Sequence, residues 1–400
     1  MISNTHNTYK YMLNKELTEI YITHSLRHFA ISMVGIFVPI FLLERNMSFP
    51  NVLFFYFFQS IFQISLYVFG SKIPSKIGIK HSIFLSMPFM IIFFIFMYNL
   101  ELIRPLMTDF LIVFISSIIF SLAMFFYWFA FHVDFVKFTN DQNEGKQIGT
   151  LQAFSTFCSI LGPLFGGLII VNFSFNILFI ITSCILLVST VPLFFSEDIR
   201  IDLKYKIKDV LKFEKPKNNL FFFAEGARQE SALVFWPIFL FFISIQMSSV
   251  GLLYSITNLL LAVFSIFVGR VSDVFNKSLL MRVGSIMHAL SLVARTFARS
   301  LFMIFSIQSI GAIFFPFLAI PYTSIIYTRA RRRGIALFVI DREIFFHLGR
   351  IFTIILCFVT YIITSAETAL VISIIFGSIC AIIMSFNQED RDDSLELTGH

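Results

Sequence analysis

The chain has 400 residues, of which 57% are hydrophobic and 14% are charged, and its mean hydropathy is +0.84. This composition excludes a soluble globular domain and indicates a polytopic membrane protein. The net charge of +6 does not require a nucleic-acid partner, because basic loops that face anionic lipid account for it.

About twelve apolar runs are long enough to cross a membrane, since about 20 residues that rise 1.5 Å each cover roughly 30 Å of hydrocarbon. The first six predicted spans are 20–43, 51–70, 80–99, 106–131, 148–170 and 175–195. The last six are 219–243, 248–269, 279–298, 301–326, 335–362 and 368–386. The predicted domains are a six-helix bundle at 1–195, a basic linker at 196–217, a second six-helix bundle at 218–388 and an acidic tail at 389–400.

Most of the 30 Lys and Arg residues lie in the linker or in loops on the side of both termini. Because basic residues are retained on the cytoplasmic side, both termini are predicted to be cytoplasmic in a cell membrane. Arg295 and Arg299, assigned to an opposite loop, are exceptions to this bias. The linker is somewhat amphipathic and is expected to lie along the membrane surface. A monomer in the lipid bilayer is expected.

The two halves of the chain show signs of an internal repeat. The segment FVPIFL at 37–42 returns as FWPIFL at 235–240. At the same offset Tyr56 matches Tyr254, and further similarities follow in the same order along both halves. This agreement predicts an all-α protein of twelve transmembrane helices, built from two parallel six-helix repeats.

The seventh predicted span carries Glu225, Arg228 and Glu230 inside a stretch that should cross hydrocarbon. Ionisable groups are costly at that depth, so these three are functional candidates. Arg27 lies about as deep in the first span, where an unpaired arginine would cost several kcal/mol. We therefore expect Arg27 to pair with Glu225 or Glu230.

The loop after the eighth predicted span reads GRVSDVFNK, from Gly269 to Lys277. It resembles the loop signature of the major facilitator superfamily, which comprises twelve-span transporters built from two six-helix halves. The motif implies that Gly269 allows a tight exit from the helix and that Asp273 latches a cytoplasmic gate. Asp273 would accept hydrogen bonds from a neighbouring helix N-terminus or pair with a basic residue. A solvated turn is the alternative. The equivalent loop of the first half, from Gly70 to Lys80, lacks the acid.

The fifth predicted span contains ILGPLFGG, which resembles the signature of drug and proton antiporters in the same family. The matching residues are Gly162, Pro163, Gly166 and Gly167. Small residues four apart also let helix backbones approach, so a role in packing alone is the alternative. The family's fourth-span arginine signature is absent, because that span ends in YWFAFHVDF.

In this family the first, fourth, seventh and tenth spans line a central cavity. The resemblance therefore implies that charged residues on these spans contact the substrate or the coupling protons. The candidates are Arg27, His132, Glu225, Arg228 and Glu230. A glutamate there would exchange its proton or its arginine partner during the cycle, or else belong to a permanent ion pair.

The eleventh predicted span begins FVIDREIFFHLGR, which places Glu343, His347 and Arg350 on one helix face. Asp341 and Arg342 precede this polar stripe. Because this helix more often supports the cavity than lines it in the family, a gate or a supporting network is expected there.

The resemblance implies a secondary transporter that alternates access, and proton-coupled efflux of small organic molecules is the specific prediction. A metabolite uniporter or symporter is one alternative, and a sensor or scaffold that uses the basic linker is another. No catalytic constellation or nucleotide loop occurs, so neither an enzyme nor a cofactor is predicted. The four cysteines lie in apolar runs without metal-type spacing, and no metal site is predicted.

Overall fold

The computed structural model describes residues 15–138, 144–195, 197–198 and 216–386. Within these ranges the chain is helical apart from short connections, and no strand occurs. Long apolar runs form helices because hydrocarbon offers the backbone no other hydrogen-bonding partners. Most of the predicted linker and the whole acidic tail lie outside the described residues, so what was expected of them stays a prediction.

The first six spans lie close to their predicted positions. Their helical segments are Lys15–Val34, Gly35–Phe37 and Val38–Glu44 for span 1, Phe49–Ser65 and Leu66–Gly70 for span 2, Ile79–Tyr98 for span 3, Asp109–Phe138 for span 4, Glu144–Cys158 and Gly162–Asn172 for span 5, and Phe175–Ser189 and Val191–Phe195 for span 6. Two short helices, Lys72–Ile77 and Leu100–Ile103, lie in the loops on either side of span 3.

The second six spans repeat this arrangement. Their helical segments are Pro216–Glu230, Ser231–Phe235 and Trp236–Phe242 for span 7, Met247–Ser272 for span 8, Lys277–Phe297 for span 9, Leu301–Arg333 for span 10, Ile335–Ile363 for span 11 and Ala366–Met384 for span 12. The side on which span 1 begins and span 12 ends is called the terminal side below, and the other is the opposite side.

Ten of the helices in the described residues are long and apolar enough to cross a membrane. Spans 7 and 9 complete the twelve, and both are interrupted by ionisable side chains. Spans 1 to 6 and spans 7 to 12 each pack as a six-helix bundle. The predicted architecture of an all-α polytopic membrane protein is therefore confirmed.

Spans 4 and 10 are longer than predicted on the terminal side. Their apolar runs were expected to end near residues 131 and 326, but the helices continue to Phe138 and Arg333. The reason is that a helix satisfies its own backbone hydrogen bonds and does not have to stop where the hydrocarbon stops. Hydrophobicity therefore gives the membrane-embedded part of a span and not its end.

Spans 5 and 8 join the two bundles through backbone contacts along their length. A Cβ atom on Gly149 would lie 2.8 Å from the Cα atom of Gly269. Farther along, a Cβ atom on Gly251 would lie 2.5 Å from the carbonyl oxygen of Pro163, and one on Gly167 would lie 3.0 Å from a carbonyl oxygen of span 8. Glycine is needed at these positions because no side chain fits between the helices.

The fifth-span motif also packs inside the first bundle. A Cβ atom on Gly162 would lie 3.1 Å from the carbonyl oxygen of Phe29, and Gly166 lies against the backbone of Met33. All four motif residues are buried. The motif thus brings span 5 into contact with span 1 on one face and with span 8 on the other.

Spans 2 and 11 form the second contact between the bundles, and here side chains meet. The ring centroids of Phe54 and Phe358 are 5.5 Å apart, and those of Tyr67 and His347 are 6.3 Å apart. Between these two ring contacts lies a polar contact made by Gln59. Ring contacts therefore lie on both sides of the hydrogen bond that Gln59 makes in this interface.

Candidate functional site

Close packing of spans 7 and 11 creates a charged network inside the membrane. A Cβ atom on Gly226 would lie 2.7 Å from the carbonyl carbon of Phe346. On the facing helix, a Cβ atom on Gly349 would lie 2.8 Å from the carbonyl carbon of Phe223. The two glycines let the helices approach, so that arginine side chains of span 11 reach carboxylates of span 7.

The first part of the network is centred on Arg350, near the middle of span 11. Its Nε atom donates to Oε2 of Glu230 at 2.6 Å, and an Nη atom donates to Oε1 of Gln59 at 3.0 Å. Glu230 is 1% exposed and lies directly before the π-helical turn Ser231–Phe235 of span 7. Such turns add a residue to the helix and are frequent at functional sites. One guanidinium thus connects spans 2, 7 and 11.

The second part is centred on Arg342, closer to the terminal side. Its guanidinium donates to Glu225 at 3.0 Å and to the adjacent Glu343, and it lies 3.4 Å from Nε2 of His132. The other ring nitrogen of His132 lies 2.9 Å from the hydroxyl oxygen of Tyr327. Spans 4, 7, 10 and 11 therefore meet at this point.

The two bundles contribute different kinds of group to this network. Its carboxylate–guanidinium pairs lie within the second bundle, where Glu225 and Glu230 of span 7 bind arginines of span 11. The groups from the first bundle that contact the arginines are the uncharged amide of Gln59 and the imidazole of His132. His132 lies 3.8 Å from Glu343 and pairs with it ionically only when protonated.

The predicted ion pair between Arg27 and Glu225 or Glu230 is wrong. The Cζ atom of Arg27 lies 3.4 Å from the ring centroid of Tyr127, and an Nη atom lies 3.9 Å from Sδ of Met124. In the part of the chain that the structure describes, no carboxylate pairs with Arg27. The two glutamates are held by span 11 instead, and a cation–π contact stabilises the arginine.

The polar face of span 11 points at the first bundle and carries the network described above, and the gate or supporting role expected of this helix stays a prediction. Sequence reasoning missed its partner Gln59. A usable signal was present, because Gln59 and Gln63 lie four residues apart in an otherwise apolar helix and both are buried. Tyr327 was also missed, and among the many aromatic residues nothing singles it out.

Two further candidates lie outside this network. Arg228 is turned into the second bundle, where its Cζ atom lies 4.9 Å from the ring centroid of Phe315. Asp341 is buried near the terminal-side start of span 11. Of the candidates on span 7, the two glutamates therefore meet span 11 and the arginine does not.

The loop after span 8 makes a contact between the bundles on the terminal side. The backbone N–H of Lys146, in the first turn of span 5, donates to Oδ2 of Asp273 at 2.9 Å. This is the hydrogen bond from a helix N-terminus that the loop motif predicts, whereas the gating role stays a prediction. The expected role of Gly269 as a helix exit is wrong, because span 8 continues to Ser272 and Gly269 packs on span 5.

The bundles also touch at other points near both ends. On the terminal side the ring centroids of Phe135 and Tyr327 are 5.8 Å apart. On the opposite side the ring of Phe49 lies 5.6 Å from that of Phe242 and 5.1 Å from that of Tyr361. In this structure the network is therefore enclosed between contacts at the two ends.

The chemistry available here is charge pairing, hydrogen bonding and proton exchange. Across the described residues, no group of three or more His, Cys, Asp and Glu side chains is placed to hold a metal ion. The four cysteines are free thiols, and two of them, Cys357 and Cys380, are buried.

Comparisons with known proteins give the fold a context. No protein-family model matches the chain, and no curated protein matches its sequence. Among solved structures, a variant of the Escherichia coli fucose:proton symporter FucP has a TM-score of 0.65 at 13% identity, with 92% of this chain and 96% of that chain covered. FucP in an outward conformation, described as a major facilitator superfamily transporter, has a TM-score of 0.66 at 14% identity, with 94% and 97% covered. The chain therefore has the major facilitator fold.

Proposed function

We propose that the protein is a secondary transporter in which the two six-helix bundles rock about a site near the membrane midplane. The observation that carries this proposal is the position of Arg350, which binds Glu230 of its own bundle and Gln59 of the other. Ionisable groups at membrane depth are costly and are usually kept for function. Here they lie where two bundles of a transporter fold meet.

We further propose uptake of a metabolite together with protons, in preference to efflux of drugs. The solved structures reported above include one titled as a fucose:proton symporter, which favours symport. The fifth-span glycines that suggested antiport are engaged in helix packing and lend it no support. In this scheme Glu225 or Glu230 takes up a proton and releases its arginine when the substrate binds.

The direction of proton movement tests this proposal. Purified protein is reconstituted into liposomes that contain a pH-sensitive dye, with the membrane potential clamped by potassium and valinomycin. A panel of sugars, amino acids and organic acids is then added outside. Symport acidifies the lumen, exchange of substrate for protons makes it alkaline, and uniport leaves its pH unchanged. Alkalinisation by a transported compound would replace symport with antiport.

Variants locate the coupling group. We expect Glu225→Gln or Glu230→Gln to abolish substrate-driven acidification while leaving the protein folded enough to bind substrate. Glu367→Gln is the matched control, because Glu367 lies on the opposite side in an exposed pair with Arg299. Full acidification in both of the buried variants would rule these glutamates out as the coupling groups and favour the permanent ion pair.

We also propose that the protein is a monomer of the cell membrane with cytoplasmic termini, as the distribution of basic residues predicts. A membrane-impermeant thiol reagent applied to intact cells tests the orientation. A single cysteine introduced at Leu106, in the exposed loop before span 4, is expected to react. One introduced at Val274, in the exposed loop after span 8, is expected to react only after the cells are permeabilised.

A further inference from the structure

Three cationic or basic side chains of the second bundle are buried and have no carboxylate within ion-pair distance in the described residues. Arg228 of span 7 is 7% exposed, and His288 and Arg295 of span 9 are 4% and 6% exposed. Within the residues that the structure describes, none of them forms an ion pair, and the Nε atoms of both arginines lack a hydrogen-bond acceptor. Neither ring nitrogen of His288 is hydrogen-bonded to a side chain there.

Arg295 was predicted to lie in a loop on the opposite side, and this prediction is wrong. It belongs to the last turn of span 9 and points inward, with its Cζ atom 5.6 Å from the ring centroid of Trp236. A Cβ atom on Gly311 would lie 2.7 Å from an Nη atom of Arg295, so the glycine leaves room for the guanidinium.

The neutral polar groups nearby do not supply the missing acceptors. The indole N–H of Trp236 donates to Oε1 of Gln308 at 2.6 Å, and the amide nitrogen of Gln308 lies 3.4 Å from Oγ1 of Thr257. The hydrogen bond that Oε1 of Gln308 accepts thus comes from Trp236 and not from an arginine. The rings of Trp236 and Phe315 attract the guanidiniums by cation–π interaction but cannot accept their hydrogen bonds in the plane of the group.

This arrangement differs from the charged network on span 11. Arg342 and Arg350 there are each paired with a glutamate, as is normal for buried charge. A buried guanidinium without a carboxylate partner needs another source of stabilisation. Arg27 has one in the ring of Tyr127 at 3.4 Å, whereas the ring contacts of Arg228 and Arg295 are longer, at 4.9 Å and 5.6 Å. Because Arg228 and Arg295 lie on different helices of the same bundle, with the basic His288 also present, the need for a compensating negative charge is greater.

We infer that Arg228, His288 and Arg295 bind the negatively charged group of the substrate, and that the substrate is therefore a small organic acid. A carboxylate has two acceptor oxygens that arginine forks match well. The rings of Trp236 and Phe315 border the same region and would cover a carbon skeleton. The inference rests on the proposed transport function, and it names the class of substrate.

Matched ligand pairs test the inference by a readout that does not depend on transport. The melting temperature of the purified protein is measured with benzoate against benzamide, succinate against succinamide and glucuronate against glucose, at constant chloride. A ligand that binds the folded form raises the melting temperature. We expect at least one acid to do so while its neutral analogue does not.

The same titration in variants identifies the site. We expect Arg228→Gln and Arg295→Gln each to raise the apparent dissociation constant of that acid by about tenfold or more, because each removes a charge-assisted hydrogen bond. Arg295→Lys keeps the charge, is expected to fold, and should weaken binding less. Arg282→Gln is the matched control, because Arg282 is exposed on the same helix.

Three results would overturn the inference. They are equal stabilisation by acid and neutral analogue, unchanged affinity in both arginine variants, and stabilisation by chloride or phosphate alone. The proposed function fails separately. Acid-dependent stabilisation without flux in liposomes would leave this site standing and remove transport, whereas flux of a neutral metabolite without acid binding would do the reverse.

Discussion

The two bundles meet along two helix pairs that are built in different ways. Spans 5 and 8 touch backbone to backbone, with Gly149 against Gly269 at one end. Spans 2 and 11 touch through side chains, with tilted ring contacts on either side of the contact between Gln59 and Arg350. Backbone contact has no freedom to rearrange, whereas side chains change rotamer. We therefore expect the pair 5 and 8 to act as a fixed pivot and the pair 2 and 11 to part.

The largest effect is expected from Glu230→Gln at the side-chain interface. The change leaves Arg350 buried without a carboxylate, which costs about 3 kcal/mol because a buried charge loses its partner. The melting temperature in detergent should fall clearly. The control Glu367→Gln breaks an exposed pair and should cost less than about 1 kcal/mol. Equal melting temperatures for both variants would mean that the buried pair contributes little.

The backbone interface is tested by Gly149→Ala. The added Cβ would lie 2.8 Å from the Cα atom of Gly269, so spans 5 and 8 must separate, at a cost of about 2 kcal/mol. Thermal unfolding measures this change. The matched control is Gly70→Ala, whose Cβ would meet only side-chain atoms at 3.6 Å or more. A protein that tolerates alanine at both positions would show that spans 5 and 8 do not require backbone contact.

A smaller effect is expected from Tyr327→Phe, which removes the hydroxyl group that lies 2.9 Å from His132. Losing one hydrogen bond between the bundles costs about 1 kcal/mol. The measurement is the melting temperature, with Tyr361→Phe as the control, because Tyr361 is partly exposed and contacts Phe49 through its ring. The prediction fails if the control variant loses as much stability.

The smallest effect on stability is expected from Asp273→Asn, because the bond from Lys146 is exposed to solvent. The weaker acceptor should cost less than about 1 kcal/mol, yet it should favour separation of the bundles on the terminal side. Distances between spin labels at Lys76 and Val274, measured by pulsed electron resonance, should shift toward longer values. Asp109→Asn, on the opposite side, is the control. An unchanged distribution in Asp273→Asn would show that this bond is not a latch.

The positions of the spans could be read from the sequence, because crossing hydrocarbon requires a minimum apolar length. The ends of spans 4 and 10 could not, since the helix at Phe138 and Arg333 continues beyond the apolar run. The resemblance in the loop from Gly269 to Lys277 led to the correct fold, although its glycine, Gly269, serves packing and not helix exit.

The partners of the buried charges could not be predicted in the same way. Which residues meet depends on how each helix is rotated about its axis, and a helix that is apolar on all sides carries little signal of its rotation. Arg27 was therefore assigned to the wrong partner. Arg295 was assigned to a loop because it lies close to the end of its span, although its side chain is buried.

The charged network keeps its ion pairs within one bundle and contacts the other bundle through neutral groups, which affects the energy needed to separate the bundles. Arg350 and Arg342 pair with glutamates of their own bundle. Their contacts with the other bundle are to an amide and to an imidazole. Separation of the bundles then breaks contacts with neutral groups and leaves each charge compensated. If the bundles rock as proposed, their opening does not split an ion pair in a dry interior, and we expect a lower activation barrier than for an interface held by ion pairs.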